Sequence, residues 1–200
     1  MRQKFPPTAE HPREIKILSE AFACVVAGRT ALYVSSPLTT GRRASEWHLR
    51  SERTAPTRSD ADDFRRRVIE PNRQQAAAYV RDLRERTKRV VIDPTALEDM
   101  PRWTQADYQV FWGQVIQRYA EAVVFRNGWQ YSSGCAYEFL VSHTSGGRLL
   151  REDLTPLTLE EGLSLIGRAI QEARMRGASG EFLQQVREAL EEAATPALDP

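Results

Sequence analysis

Lysine, histidine and cysteine are scarce in this chain, and long apolar runs are absent from it. Only three of the 28 basic residues are lysines, and the formal net charge of +1 provides no strong field for nucleic acid or a membrane surface. No apolar run is long enough to cross a bilayer, so we expect no membrane span. The two cysteines lack metal-like spacing and indicate reduced thiols. Together with the polar opening MRQKFPPTAEHPREI, they favour a cytoplasmic protein.

Signatures of metal sites and of nucleotide cofactors are also missing. The three histidines are scattered and show no paired spacing, so no metal site is expected. The chain contains neither a P-loop nor a Gly-x-Gly-x-x-Gly fingerprint, which argues against an ATPase and against a dinucleotide-dependent enzyme. We therefore predict a protein that works without a cofactor.

Short apolar segments alternate with amphipathic helical patterns along residues 29–150. The segments at residues 31–35, 89–93 and 121–125 have the length and composition of β-strands, and apolar residues recur at helical spacing between them. This alternation is typical of a parallel sheet. The sequence therefore predicts an α/β fold of the Rossmann-like (flavodoxin-like) type, with helices on both faces of the sheet.

The rest of the chain is predicted to flank this α/β domain. Residues 1–28 contain a proline-rich arm and then a helix that ends near Gly28. Residues 151–200 are predicted to form a C-terminal helical extension, in which Thr158 and Glu161 have the spacing of a capping box.

Three loops follow the predicted strands and should meet at the carboxyl edge of the sheet, where ligands bind in such folds. These loops are residues 36–43, 94–103 and 126–134. The last loop leads into a helix predicted over residues 132–143, which contains Glu138. Free backbone N–H groups near Ser133 and Gly134 would form an anion site at the start of this helix, close to that acid. The spacing also permits a simpler interpretation, in which Glu138 is a surface residue of the helix.

Several segments resemble the nucleoside 2-deoxyribosyltransferase superfamily, which includes the 2′-deoxynucleoside 5′-phosphate N-hydrolases. These segments are YVSSPLTTG, VVIDP, AVVF and NGWQYSSGCAYE, and the resemblance covers roughly residues 29–150. It implies that Glu138 is the catalytic glutamate, which attacks the anomeric carbon and expels the base. The glycosyl–enzyme ester would then pass to water or to another base. The resemblance also implies a nucleoside or nucleotide as the ligand and assembly into a homo-oligomer.

Residues at the end of the first strand are further candidates. In the resemblance, Tyr33 matches an aromatic position near the substrate, and Ser35 and Ser36 belong to the loop that handles sugar or phosphate. Arg42 and Arg43 at the end of this loop could clamp a phosphate with bidentate hydrogen bonds. A pair of solvated loop arginines is the alternative.

The turn before the helix that contains Glu138 departs from the family pattern. Ser132 and Ser133 stand where transferases of the superfamily often carry an aspartate, just ahead of the glycine, which is Gly134 in this chain. A serine cannot accept hydrogen bonds as a charged group, but it can donate to a phosphate oxygen. This departure favours a 5′-phosphorylated substrate and hydrolysis.

A leaving base also needs a proton or a hydrogen bond. Asp93, at the end of the second strand, and Asp107, at a helix start, are candidates for that role. The alternatives are a turn-forming acid for Asp93 and a helix-start residue for Asp107.

Trp103 and Trp129 fall in the predicted loops, where either could stack on a base.

The sequence therefore predicts an N-glycosidase or deoxyribosyltransferase that acts on a (deoxy)nucleoside or its 5′-monophosphate. One alternative is a nucleotide-binding sensor on the same fold that has lost turnover. Another is an interaction protein whose C-terminal helices pack on a partner. The presence of Glu138 favours the enzyme, whereas the missing aspartate favours the sensor.

Overall fold

The protein is built around one parallel β-sheet. The computed structural model describes residues 5–26, 28, 30–50 and 58–195. The strands are Ala31–Ser35 (β1), Val90–Ile92 (β2), Ala120–Phe125 (β3) and Arg148–Arg151 (β4). They lie in the order β2-β1-β3-β4, and each runs parallel to its neighbours. The predicted α/β fold with a parallel sheet is confirmed.

Helices surround the sheet and connect its strands. Within the described ranges they are Pro12–Val26 (α1), Arg42–Arg50 (α2), Arg58–Phe64 (α3), Glu70–Arg86 (α4), Gln105–Tyr119 (α5), Ser133–Thr144 (α6), Leu159–Met175 (α7) and Glu181–Ala194 (α8). A π-helical segment, Arg65–Ile69, joins α3 to α4, and Pro71, which has no N–H to donate, lies in the first turn of α4 just after this segment. None of the helices among these residues is long and apolar enough to cross a membrane.

Helices cover both faces of the sheet, as the sequence predicts. Alternate residues of β1 point to opposite faces, because side chains alternate along a strand. Tyr33 joins the larger core, which also contains Phe125 and residues of α1, α5, α6, α7 and α8. Leu32 and Val34 point to the other face and pack with Leu83 of α4.

Two stretches of secondary structure differ from the sequence prediction. Arg42 and Arg43, predicted as the end of a loop, begin α2. Gly41 turns the chain just before that helix, with a φ of +90° that favours glycine. The strand β4 has only two apolar residues in the sequence RLLR, so it carries no strand pattern and forms by pairing with β3. The predicted boundary between residues 150 and 151 falls inside this strand.

The C-terminal helices are packed into the larger core. Ile166 and Ile170 of α7 and Val186 and Leu190 of α8 are buried in the same cluster as the strand residues. The start of α7 has the predicted capping box, in which Thr158 and Glu161 each bond the other's backbone N–H. These two helices therefore complete the main hydrophobic core.

Replacing Gly162 by alanine should destabilise the protein. A Cβ at this position of α7 would lie 2.7 Å from Cε1 and 2.9 Å from Cε2 of Phe139, and closer still to its Cζ. The Phe139 ring cannot move away easily, because it is fully buried and stacks on Trp129 at 4.8 Å. Overpacking of this kind costs about 1–3 kcal/mol, which thermal melting would detect as a fall of roughly 2–12 °C.

The control is Gly167→Ala in the same helix. A Cβ there would meet only the guanidinium end of Arg187, at 3.3 Å from Nη1, and this end can move. Because alanine is the better helix former, the control should match or exceed the wild-type melting temperature. Equal melting of both variants would contradict the close packing of α7 on α6.

Candidate active site

Glu138 lies at the carboxyl edge of the sheet, one to two turns inside α6. The helix begins where Ser132 caps it, with the serine hydroxyl accepting a hydrogen bond from the N–H of Cys135. Tyr33 donates its hydroxyl hydrogen to Oε1 of Glu138 at 2.6 Å, and Ser35 donates to Oε2 at 2.6 Å. Only 8% of Glu138 is exposed, so it is not a surface residue of its helix.

Burial gives Glu138 an unusual pKa. Desolvation raises the pKa from an ordinary 4.5 to about 7, while the hydrogen bonds from Ser35 and Tyr33 oppose the shift because they favour the carboxylate. Burial, followed by the charge of Glu138, raises the pKa of Tyr33 well above its ordinary value, so the tyrosine keeps the proton that it donates. A carboxyl group with a pKa near neutrality in a pocket is typical of a functional site.

A pocket of about 180 Å³ opens over Glu138. The three predicted loops contribute to it, together with the first turns of α5 and α6. Its lining residues are Ser36, Leu38, Thr39, Thr40, Pro94, Thr95, Leu97, Asp99, Gln105, Tyr108, Trp112, Ser132, Ser133, Gly134, Cys135 and Glu138. The convergence of these loops at the carboxyl edge of the sheet is thereby confirmed.

Hydrogen-bond donors suited to an anion converge around the start of α6. Ser132, Ser133 and Gly134 line the pocket, and the first N–H groups of a helix have no acceptor within the helix. The hydroxyl oxygen of Ser36 is buried at the pocket and has no hydrogen-bond partner among the described residues. Nε2 of Gln105 lies 3.5 Å from the position that a Cβ on Gly134 would occupy. The loop after β1, the start of α6 and the start of α5 thus all contribute hydrogen-bond donors to this pocket.

Arg42 and Arg43, predicted as a phosphate clamp, lie elsewhere. The side chain of Arg42 is 83% exposed and pairs with Glu46 at 3.5 Å. Arg43 donates to the side-chain oxygens of Asn72 and Gln75, each at 2.9 Å. Because α2 begins at Arg42, both side chains project from a helix, and neither lines the pocket.

The two candidate acids have structural roles and do not line the pocket. Asp93 accepts hydrogen bonds from the N–H and the hydroxyl of Thr95 and so caps the turn after β2. Asp107 is completely buried and accepts hydrogen bonds from Thr104 and His11. Burial alone would raise the pKa of Asp107, but these hydrogen bonds outweigh it and hold the pKa well below its ordinary value. The turn-forming and helix-start interpretations describe these acids correctly.

The two tryptophans predicted for the pocket mouth belong to the core instead. Trp129 is 4% exposed and stacks on Phe139. Trp103 is buried and donates its Nε1 hydrogen to Glu14 at 3.0 Å. The tryptophan that lines the pocket is Trp112 of α5. Its helical spacing indicates a buried face, and spacing alone cannot show that one end of this face borders a pocket.

Cys135 is a pocket residue that sequence reasoning did not select. It lies at the start of α6, and its burial, together with the charge of Glu138, raises the pKa of its thiol to about 12. The thiol therefore stays protonated and does not compete with Glu138 as a nucleophile. In the part of the chain that the structure describes, no cluster of three or more His, Cys, Asp or Glu side chains could hold a metal ion.

No protein-family model matches the chain, and no curated protein or solved structure is significantly similar to it. The resemblance to the nucleoside 2-deoxyribosyltransferase superfamily therefore depends on the sequence segments alone and stays a prediction. What the pocket can do has to follow from its geometry and chemistry.

Proposed function

We propose that the protein is an N-glycosidase or deoxyribosyltransferase that cleaves the N-glycosidic bond of a (deoxy)nucleoside or its 5′-monophosphate, with Glu138 as the nucleophile. The proposal depends on one observation above all, which is the buried carboxylate of Glu138 at the pocket. A carboxylate buried for structural reasons normally has a cationic partner. The described contacts of Glu138 are instead hydrogen bonds from the neutral hydroxyls of Tyr33 and Ser35.

The proposed reaction has two steps. An oxygen of Glu138 attacks C1′ of the sugar as the C1′–N bond breaks, and the bonding electron pair leaves with the base, which takes a proton from water. Water then attacks C1′ of the glycosyl ester, which restores the carboxylate and releases the sugar. Another base in place of water would give transfer. Tyr33 and Ser35 hold the carboxylate in one orientation for the attack and stabilise it again when it leaves C1′.

The form of the pocket supports a phosphorylated sugar as the enclosed part of the substrate. Its volume of about 180 Å³ is below the roughly 300–1,000 Å³ of sites that bury a drug-sized ligand. The space over Glu138 would therefore enclose the sugar. The donors of Ser132 and Ser133 would bind its phosphate, and the base would extend towards Tyr108 and Trp112.

Nucleoside 5′-monophosphates should be cleaved more efficiently than free nucleosides. Loss of a hydrogen bond to a charged group costs roughly 1.5–3 kcal/mol, or about 10- to 150-fold in kcat/KM. Ser133→Ala should reduce the ratio of kcat/KM for the monophosphate to kcat/KM for the free nucleoside, as measured by base release from each substrate. Ser145→Ala is the control, because it removes a hydroxyl that bonds the carbonyl of Val141 at the opposite end of α6. Equal efficiency on both substrates would count against a phosphate site.

A nucleotide-binding sensor is the second candidate, and it is favoured by serine in place of an acid at positions 132 and 133. Incubation with a panel of nucleosides and monophosphates, followed by chromatography for free base, distinguishes the enzyme from the sensor. Base release supports the enzyme, and binding without release supports the sensor. If nothing binds and nothing is released, both fail. The homo-oligomer implied by the resemblance stays a prediction that sedimentation would test.

A further inference from the structure

Two arginines lie beside the pocket, next to the loop that follows β2. Asp99 lines the pocket, and its Oδ2 lies 3.6 Å from Nη2 of Arg65. Its Oδ1 lies 4.0 Å from Nη2 of Arg73. Arg65 belongs to the π-helical segment and Arg73 to α4, which contacts the turn Pro94–Ala96. Helical backbone therefore carries two guanidinium groups to within 4.0 Å of Asp99, which lines the pocket, although neither arginine lines the pocket itself.

The contacts of these arginines leave donors unused. The side chain of Asp99 is 74% exposed and that of Arg65 is 56% exposed, and Arg65 also lies 3.9 Å from the exposed carboxylate of Glu70. Ion pairs between exposed groups contribute little to stability. Nε of Arg73 is buried and has no hydrogen-bond partner among the described residues. Buried donors are normally paired. The two guanidinium groups thus have capacity for a further anionic partner.

We propose that Arg65 and Arg73 form a second phosphate subsite at the pocket mouth, separate from the donors at the start of α6. This inference rests on the proposed function and extends its substrate class to nucleotides that carry a second phosphate. A planar guanidinium group can bind two phosphate oxygens at once through parallel hydrogen bonds. Asp99 makes no such pair of bonds, because its oxygens lie 3.6 and 4.0 Å from the nitrogens of Arg65 and Arg73. Asp99 occupies the subsite when it is empty, and an incoming phosphate displaces it at small cost.

Binding measurements on Glu138→Gln test the subsite without turnover of the ligand. The variant is titrated calorimetrically with the 2′-deoxynucleoside 5′-monophosphate, 5′-triphosphate and 3′,5′-bisphosphate of each common base. At least one nucleotide with further phosphate should bind about tenfold or more tightly than the monophosphate, as expected for a new charge-assisted contact. A gain with the triphosphate assigns the subsite to the 5′ chain, and a gain with the bisphosphate assigns it to a 3′-phosphate.

Substitutions made in the Glu138→Gln background identify the residues responsible. The quantity compared is the affinity for the nucleotide with further phosphate divided by the affinity for the monophosphate. Arg65→Met and Arg73→Met should each reduce this affinity ratio markedly, whereas Asp99→Asn, which removes the competing carboxylate, should increase it. Arg66→Met is the matched control, because Arg66 lies in the same π-helical segment, carries the same charge and pairs with Asp63 at 2.8 Å. This control should retain the full ratio.

Two results would overturn the subsite and leave the proposed function standing, since base release is measured separately on the wild type. One is equal affinity for the nucleotides with one phosphate and with more. The other is an equal loss of the ratio in Arg66→Met and Arg73→Met, which would indicate a general charge effect. Failure of Glu138→Gln to bind any nucleotide would overturn the subsite together with the proposed ligand class.

Discussion

Glu138→Gln should abolish the release of free base while it preserves the fold and most of the ligand binding. Glutamine has the same shape and keeps an oxygen to which Tyr33 can donate, but it has no charge with which to attack C1′. Loss of a catalytic nucleophile lowers kcat by a factor on the order of 10⁴ to 10⁶. Chromatography of free base from the wild type and the variant, at equal protein concentration, measures the difference.

The control for this substitution is Glu46→Gln. Glu46 is an exposed carboxylate of α2 that pairs with Arg42 and does not line the pocket, so its replacement makes the same chemical change outside the site. Both variants should melt cooperatively, which shows that they are folded. If Glu138→Gln releases base at nearly the wild-type rate, the carboxylate is structural and the enzymatic proposal fails. If the wild type releases no base but binds nucleotides, the sensor takes its place.

Much of the sheet could be predicted from the sequence, because β1, β2 and β3 are largely buried and therefore appear as apolar runs. The strands β1, β2 and β3 lie within one residue of the predicted ends. The strand β4 is different, because Leu149 and Leu150 are too few to form a pattern. Its position depends on the exposed edge of β3, which exists only once the sheet has formed.

The residues around Glu138 show the same division between local and tertiary information. Tyr33 and Ser35 alternate on β1, so a period of two places both on the face that α6 covers. They lie 105 and 103 residues from Glu138 in the chain, and the parallel sheet brings all three together. The positions of arginine side chains could not be predicted in this way. Arg42 projects from a helix that was not predicted, and Arg73 lies near Asp99 because α4 contacts the turn Pro94–Ala96.

The wild-type protein should lose stability relative to Glu138→Gln as the pH rises from 5 to 8. The pKa of Glu138 is about 7 in the folded protein and 4.5 in its ordinary state. Between these values the folded state binds a proton that the unfolded state lacks, so folding is favoured at the lower pH. This contribution is fully present below pH 4.5 and is lost as the pH rises through 7. Glutamine does not titrate, so the variant lacks this dependence.

The expected size follows from the difference between the two pKa values. At 1.36 kcal/mol per pKa unit, the full difference corresponds to about 3 kcal/mol in the free energy of unfolding. About 2.5 kcal/mol of it lies between pH 5 and pH 8, or roughly 5–10 °C in melting temperature for a chain of this length. Melting curves of the wild type, Glu138→Gln and Glu46→Gln at pH 5 and pH 8 measure it, with the last variant as the control for loss of an acid. The melting temperature of Glu138→Gln relative to wild type should rise between pH 5 and pH 8. A difference that is constant with pH would mean that Glu138 is not desolvated. In that case the carboxyl group of Glu138 would not be in the dry surroundings from which its role as a nucleophile is argued.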